Sequence, residues 1–248
     1  MLRFAVLMLV VALCAVFAVR AAWIKGKIAA LTSPPLPLYA EANSRVSPKG
    51  TRARVVLIGD SAVSRWPMTN LGERLEFINR GIGGETVAQL ARRFESDALA
   101  LCPDVILILA GMNDLVAASL MEQSGARAVV RSTSETLRAL ADRATSSGSF
   151  VLVATIIPPA RPEVWRLPVW SESLRVFVAE VNTSLRRSSL PDRASLIDFS
   201  SALVNGDKKL PDEYRLDTLH LNGLGYKRLT EVLQSALLAL PRQSDDQR

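Results

Sequence analysis

A chain of 248 residues with 49% hydrophobic composition is long enough to bury one substantial core and too apolar to remain disordered. Its net charge of +6 is confined to one arm: residues 1–54 carry eight lysines and arginines against the single acid Glu41, a balance of +7, while the remainder stands at −1. The near-neutral body offers no basic face for nucleic acid, and basic residues flanking an apolar segment suit anionic lipid headgroups or belong to a merely solvated linker.

Residues 4–19 are an unbroken uncharged and mostly apolar run, which Arg20 and the residues to Ile24 extend to 21 positions with one charge. That length exceeds a usual signal core and approaches the ~20 residues of a spanning helix. Residues 1–24 are therefore expected to form a membrane anchor or a signal segment. Trp23 and the lysines after it favour a retained anchor; cleavage after Ala18 or Ala21 would instead release a secreted body. The body is expected on the extracytoplasmic face, although the flanking charges, strictly counted, favour the C-terminal side inside. Cys14 does not suit a lipoprotein cysteine, because bulky Leu13 precedes it and the apolar run continues. Residues 25–53 form a Pro-rich basic linker, expected to be extended and unpacked. The main body covers 54–241 and a polar tail 242–248. Cys14 and Cys102 should not meet, and Cys102, just before an apolar run, should be a buried small hydrophobe.

Within the body, apolar runs at 54–58, 75–79, 104–110, 150–156 and 194–198 predict strands. Between and after them, amphipathic or helix-favouring stretches predict helices over 87–101, 123–146, 171–188 and 222–240. Regular alternation implies right-handed crossovers and a parallel sheet covered on both faces. The expected class is α/β, a three-layer α/β/α flavodoxin-like fold with five strands in the order 2-1-3-4-5, preceded by the apolar helix. Ligands should bind where the order reverses, beyond the carboxyl ends of strands one and three.

Four segments at those ends carry chemistry. The first strand stops at Gly59-Asp60-Ser61, leaving a hydroxyl at its carboxyl end or simply a polar loop. After the second, Gly81-Ile82-Gly83-Gly84 can present bare N–H groups to an anion, or make an ordinary glycine-rich connection. After the third, Asn113 can aim a carboxamide N–H at the same point or cap a helix. Before the last helix stands His220, the only histidine, so a multi-histidine metal site is excluded. Asp217 can reach back to its Nδ1–H and leave Nε2 as a base, unless His220 is merely structural.

Together these segments resemble the SGNH or GDSL hydrolases, serine esterases and lipases on a flavodoxin-like sheet. The resemblance spans 54–240 and rests on Gly-Asp-Ser, Asn-x-Gly-x-x-Gly-x-Thr, Gly-x-Asn-Asp and Asp-x-x-His-Leu-Asn-x-x-Gly-Tyr. Ala62 departs from the leucine or isoleucine that the family often has there. The resemblance implies a nucleophile Ser61 with His220 as base and Asp217 as orienter. It also implies an oxyanion hole of the Ser61 N–H, Gly84 N–H and Asn113 side chain, with no metal or organic cofactor. The substrate would be a small-molecule or lipid ester: a lysophospholipid, small acyl ester or thioester. Alternatives are a carbohydrate O-deacetylase and a catalytically silent, membrane-tethered binding module. The 158–170 loop, with Trp165, Trp170 and several prolines, could wall an acyl chain, touch a membrane, or pack its own tryptophans.

Overall fold

The computed structural model describes residues 2–35, 37–68, 75–204 and 209–241. The polar tail expected at 242–248 lies outside them. Five strands, β1 (Ala53–Gly59), β2 (Leu75–Gly81), β3 (Val105–Leu109), β4 (Phe150–Ala154) and β5 (Ala194–Ile197), form one parallel sheet in the order β2-β1-β3-β4-β5. Among the described residues nine α-helices accompany them: α1 (Leu2–Ala30), α2 (Ala40–Ser44), α3 (Ser61–Ser64), α4 (Val87–Asp97), α5 (Met112–Ala118), α6 (Gln123–Ser146), α7 (Ser173–Arg187), α8 (Phe199–Leu203) and α9 (Gly223–Ala239).

Alternation along the strands divides the core into two layers. Val56 and Ile58 of β1, with Ile106 and Ile108 of β3, face α4, α6 and α7; Val55 and Leu57 face the layer closed by α8 and α9. Helix α6 buries Ala126, Val130, Leu137, Leu140 and Ala144 on a stripe that also takes in Thr133 and Ser134. The register places Gly59 beside both Gly81 and Leu109, so β1, β2 and β3 end at one level. Their following loops therefore emerge side by side, and a parallel sheet offers its ligand site at that edge.

The fold class and strand order are as expected, with element ends shifted by a residue or two. Three expectations are corrected. The helix foreseen over 87–101 stops at Asp97, and Leu99–Leu101 tighten into a 3-10 turn. Pro103 disfavours a helical residue before it, and Cys102 turns left-handed at φ 52°, which leaves its thiol exposed rather than buried. Short helices α3, α5 and α8 follow β1, β3 and β5 directly, where the sequence suggested loops, or at α5 a helix capped by Asn113; the cap is Gly111 instead. They are too short for a periodicity of their own.

The linker is also packed where it was expected to be free. Helix α1 continues to Ala30, and α2 docks on the body. The Tyr39 hydroxyl donates to the Gly81 carbonyl at 2.6 Å, and the Arg80 guanidinium lies 4.8 Å from the centre of the Tyr39 ring. Asn43 accepts from Arg80 and donates to Asp97, both at 2.7 Å. Buried polar groups at the β2 edge find partners in this segment, an interaction that proline content could not reveal.

The close approach of β2 to α3 is testable. A Cβ on Gly81 would stand 2.1 Å from the Ser64 nitrogen, whereas Gly83 has nothing within 4 Å. Gly81→Ala should cost about 1–3 kcal/mol or more by overpacking. Gly83→Ala should stay within about 0.5 kcal/mol of wild type. Urea unfolding of the two variants checks this, and equal midpoints would contradict it.

Candidate active site

The turn after β1 is built without slack. A Cβ on Gly59 would lie 1.9 Å from the Leu109 carbonyl oxygen, so only glycine lets β1 and β3 close here. The next carboxylate, Asp60, is buried and caps α3 by accepting from the Ala62 N–H at 2.9 Å. Burial pushes its carboxyl up to about 6, opposed by backbone N–H groups of Ala62, Met112 and Gly111. Asp60 thereby ties the β1 turn to the β3 turn. Ser61 follows as the first residue of α3.

Across from it stands the segment before α9. The Ser61 Oγ is 3.2 Å from Nε2 of His220, and Nδ1 of His220 is 2.7 Å from Oδ2 of Asp217. The other Asp217 oxygen accepts from the Leu219 and His220 backbone N–H groups at 2.8 and 3.0 Å. Burial acts to raise the Asp217 carboxyl, but the bonds from His220 and Leu219 outweigh it and hold it below the usual range. A carboxylate on Nδ1–H leaves the Nε2 lone pair toward the hydroxyl, so the array can move a proton from serine to imidazole.

This segment is pinned locally. Asn222 caps α9 by accepting from the Leu224 and Gly225 N–H groups, and its amide donates back to the Glu213 carbonyl at 2.7 Å. Arg215 and Leu221 form an antiparallel bridge around the turn. From α9, the Tyr226 hydroxyl donates to the Ala62 carbonyl at 3.0 Å, and Trp66 stacks obliquely on Tyr226 while its indole donates to Thr230. Tyr226 and Trp66 thus join the serine turn to the helix behind the histidine. Sequence reasoning had used Tyr226 only as part of a motif and had not used Trp66 at all.

Gly84 and Asn113 lie on the loops after β2 and β3, the two strands flanking β1. Gly84 is exposed with φ +81°, a left-handed conformation that favours glycine. The Ile82 N–H donates to the Gly59 carbonyl at 2.9 Å, which fastens this loop to the serine turn. Asn113 is buried in the first turn of α5, and one N–H of its carboxamide donates to the Glu85 carbonyl at 3.1 Å.

What holds these loops was not foreseen. Arg93 on α4 is 5% exposed, and its guanidinium bonds both Glu85 oxygens (2.6 and 2.5 Å) and Asp97 (3.1 Å). The same group donates to the carbonyls of Arg80 (2.8 Å) and Gly59 (3.4 Å). The available signal was a charged residue on the apolar stripe of α4, beside Leu90 and Phe94, with an acid four positions later. Asp114, next to Asn113, accepts from the Val87 N–H at the start of α4. Burial pushes its carboxyl up to about 7, against that backbone bond.

A narrow pocket opens beside Ser61 and His220, walled by Leu109, Met112, Ile156, Ile157 and Leu219, with a volume of about 20 Å³. On the scale where one water-sized sphere needs about 10–15 Å³, that space is little more than one such sphere.

Comparison with known proteins gives the same chemistry a context. A family model described as the GDSL-like Lipase/Acylhydrolase family matches residues 49–228. The rat platelet-activating factor acetylhydrolase IB subunit alpha2 is 26% identical over 204 residues, covering 78% of this chain and 80% of its own. Among solved structures, a Bacteroides fragilis protein classed as an acylhydrolase is 25% identical with a TM-score of 0.69, covering 82% of this chain and 95% of its own. An acetylxylan esterase from Geobacillus stearothermophilus shares the fold at 19% identity and a TM-score of 0.53, covering 75% and 94%.

The raised Asp114 carboxyl has a thermodynamic consequence. Between 3.8 and about 7 the folded protein holds a proton that the unfolded chain releases, so stability from this group is full below that window and falls as pH rises through it. Relative to Asp114→Asn, which keeps an acceptor for Val87, wild type should lose on the order of a few kcal/mol between about pH 4 and pH 8. Urea midpoints across that range test it. Parallel profiles for the two proteins would show that Asp114 is not the titrating group.

Proposed function

This chain belongs to the GDSL-like lipase/acylhydrolase family, and from that premise we propose that it cleaves carboxylic esters of small acyl groups with Ser61 as nucleophile. The observation that supports this best is the continuous relay from the Ser61 hydroxyl through both nitrogens of His220 to Asp217, at 3.2 and 2.7 Å. In the proposed reaction, Ser61 Oγ attacks the acyl carbon while its proton passes to His220 Nε2. Collapse of the tetrahedral species breaks the ester bond, and the same proton goes to the leaving alkoxide. A water molecule then repeats the sequence on the acyl-enzyme and frees Ser61. Asp217 stays ionised throughout, holding the tautomer and stabilising the imidazolium between the two proton transfers.

The developing oxyanion would meet the N–H groups of Ser61 and Gly84 and the second N–H of the Asn113 carboxamide, the first being spent on Glu85. Each donor of this kind contributes about 3 to 4 kcal/mol in the transition state. The narrow pocket favours a small acyl group, in keeping with relatives whose names denote an acetylhydrolase and an acetylxylan esterase. A carbohydrate O-deacetylase is therefore the second reading. A silent binding module would have no chemical need for a charged relay at the serine.

Serine-directed phosphonate probes should label the wild-type chain, and Ser61→Ala should abolish the label. His220→Ala should lose about as much turnover as Ser61→Ala, with the double variant no worse, because two groups acting as one unit do not add. Labelling that persists without Ser61, or additive losses, would sink the assignment.

The same proposal includes a retained anchor. Within the helix stretch Val6–Ala30 the most apolar 18-residue window has a mean hydropathy of 2.4 and no buried residue. The full chain should sediment with membranes and resist carbonate extraction. Recovery of a soluble mature protein starting at Val19 or Ala22 would make residues 1–24 a cleaved signal instead.

A further inference from the structure

The loop after β4 carries apolar surface that ester cleavage does not use. Its 3-10 turn, Val164–Val169, exposes Val164 (79%), Trp165 (76%) and Leu167 (55%). Trp170, by contrast, packs half-buried against the core. Three large apolar side chains in one exposed turn form a patch that water disfavours.

Two sets of contacts say what meets it. On one side the turn touches α1, and Arg166 comes within electrostatic reach of Lys27. Helix α1 itself docks on α5, with Trp23 packed against the core, so the apolar segment leaves the body in a set direction from the active-site edge of the sheet. At 1.5 Å per residue, residues 4–24 span about 31 Å, close to the ~30 Å of a bilayer's hydrocarbon layer. Lys27 then stands only about 4–5 Å further out, among the headgroups, and the turn stands beside it. Lys27 and Arg166 supply positive charge there, Arg166 also pairing with Glu163 at 2.9 Å, as suits anionic headgroups.

On its other side the base of the turn is bonded to the segment of Asp217 and His220. The Ala160 N–H donates to the Thr218 carbonyl at 2.8 Å, the Thr218 hydroxyl donates to the Glu163 carboxylate, and Arg215 donates to the Arg161 carbonyl at 3.0 Å. The exposed patch is thus rigidly continuous with the mouth of the site.

We propose that Val164, Trp165 and Leu167 sink into the headgroup–acyl boundary of the bilayer beside α1. The site then opens onto the membrane surface and takes esters whose alcohol is embedded in the bilayer and whose small acyl group reaches Ser61. This substrate class rests on the reading of Ser61 as the ester-cleaving nucleophile; the membrane contact does not.

The full chain in vesicles of phosphatidylcholine and phosphatidylglycerol with brominated acyl chains tests the contact. Trp23→Phe and Trp170→Phe remove the indole of α1 and the half-buried one at the end of the turn, and Trp66 is shielded in the core. In that background brominated lipid should quench a large share of the emission, and adding Trp165→Phe should remove most of that quenching. Equal quenching with and without Trp165 overturns the contact. Two acetates then separate substrate from surface. Trp165→Ser with Leu167→Ser should lower kcat/KM on a vesicle-embedded long-chain alkyl acetate by about tenfold or more, and leave a soluble aryl acetate unchanged. Equal effects on both acetates overturn the membrane-resident substrate. A wild-type chain that cleaves neither acetate overturns the ester-cleaving reading and its substrate, while the quenching still decides the contact.

Discussion

One buried guanidinium organises the edge of the sheet where the candidate site lies. Arg93 lies in the interior with two acids, Glu85 and Asp97, and spends its remaining donors on the carbonyls that end β1 and β2. A charge in that position survives burial only because every direction around it is answered. The consequence is geometric. Glu85 is immobilised, its own carbonyl accepts from the Asn113 amide, and the glycine loop just before it is fastened to the end of β1 by the Ile82 N–H on the Gly59 carbonyl. Remove the guanidinium and two carboxylates remain in the core without a counter-charge, a loss on the order of 3–5 kcal/mol in comparable buried pairs.

A second lock works from the opposite layer. The histidine sits on a short bridge-closed turn, and the helix that follows is fastened to the serine turn through Tyr226 and Trp66. The serine and histidine are 159 positions apart in the chain, so their 3.2 Å separation depends on how α9 packs on α3. For the nucleophile proposed at Ser61, such pre-set geometry would mean that the cost of orienting the groups is met during folding.

The carboxylates around the site differ because their donors differ. Asp60 and Asp114 are fully enclosed and receive mostly backbone N–H groups, and burial raises both. Asp217 is partly open and has the imidazole as well as two backbone donors, so it stays ionised. Asp198 shows the same rule away from the site: burial opposes ionisation, but Arg186, Ser201 and Thr155 together hold its carboxyl far below the usual range. Enclosure without a cation raises a carboxyl, and enclosure with enough donors lowers it.

The strands, the long helices and their order were legible in the chain because apolar periodicity records which faces are buried, and strand–helix alternation admits few topologies. The residues at the strand ends were legible for a similar reason: glycine, serine, asparagine and a sole histidine stand out where a parallel sheet keeps its ligands. Periodicity was silent about α3, α5 and α8, which are shorter than the pattern needed to detect them, and about Cys102, whose exposure follows from one left-handed residue before a proline. It was silent, too, about partners distant in the chain. That Tyr39 and Asn43 would close the β2 edge, that Arg93 would gather two loops, and that the tryptophan turn would lie beside α1 are matters of docking. The sequence by itself determined which residue types could do chemistry and on which strand end each would lie. Only the tertiary structure decided which of them meet, because those distances arise from packing between elements and leave no local period in the chain.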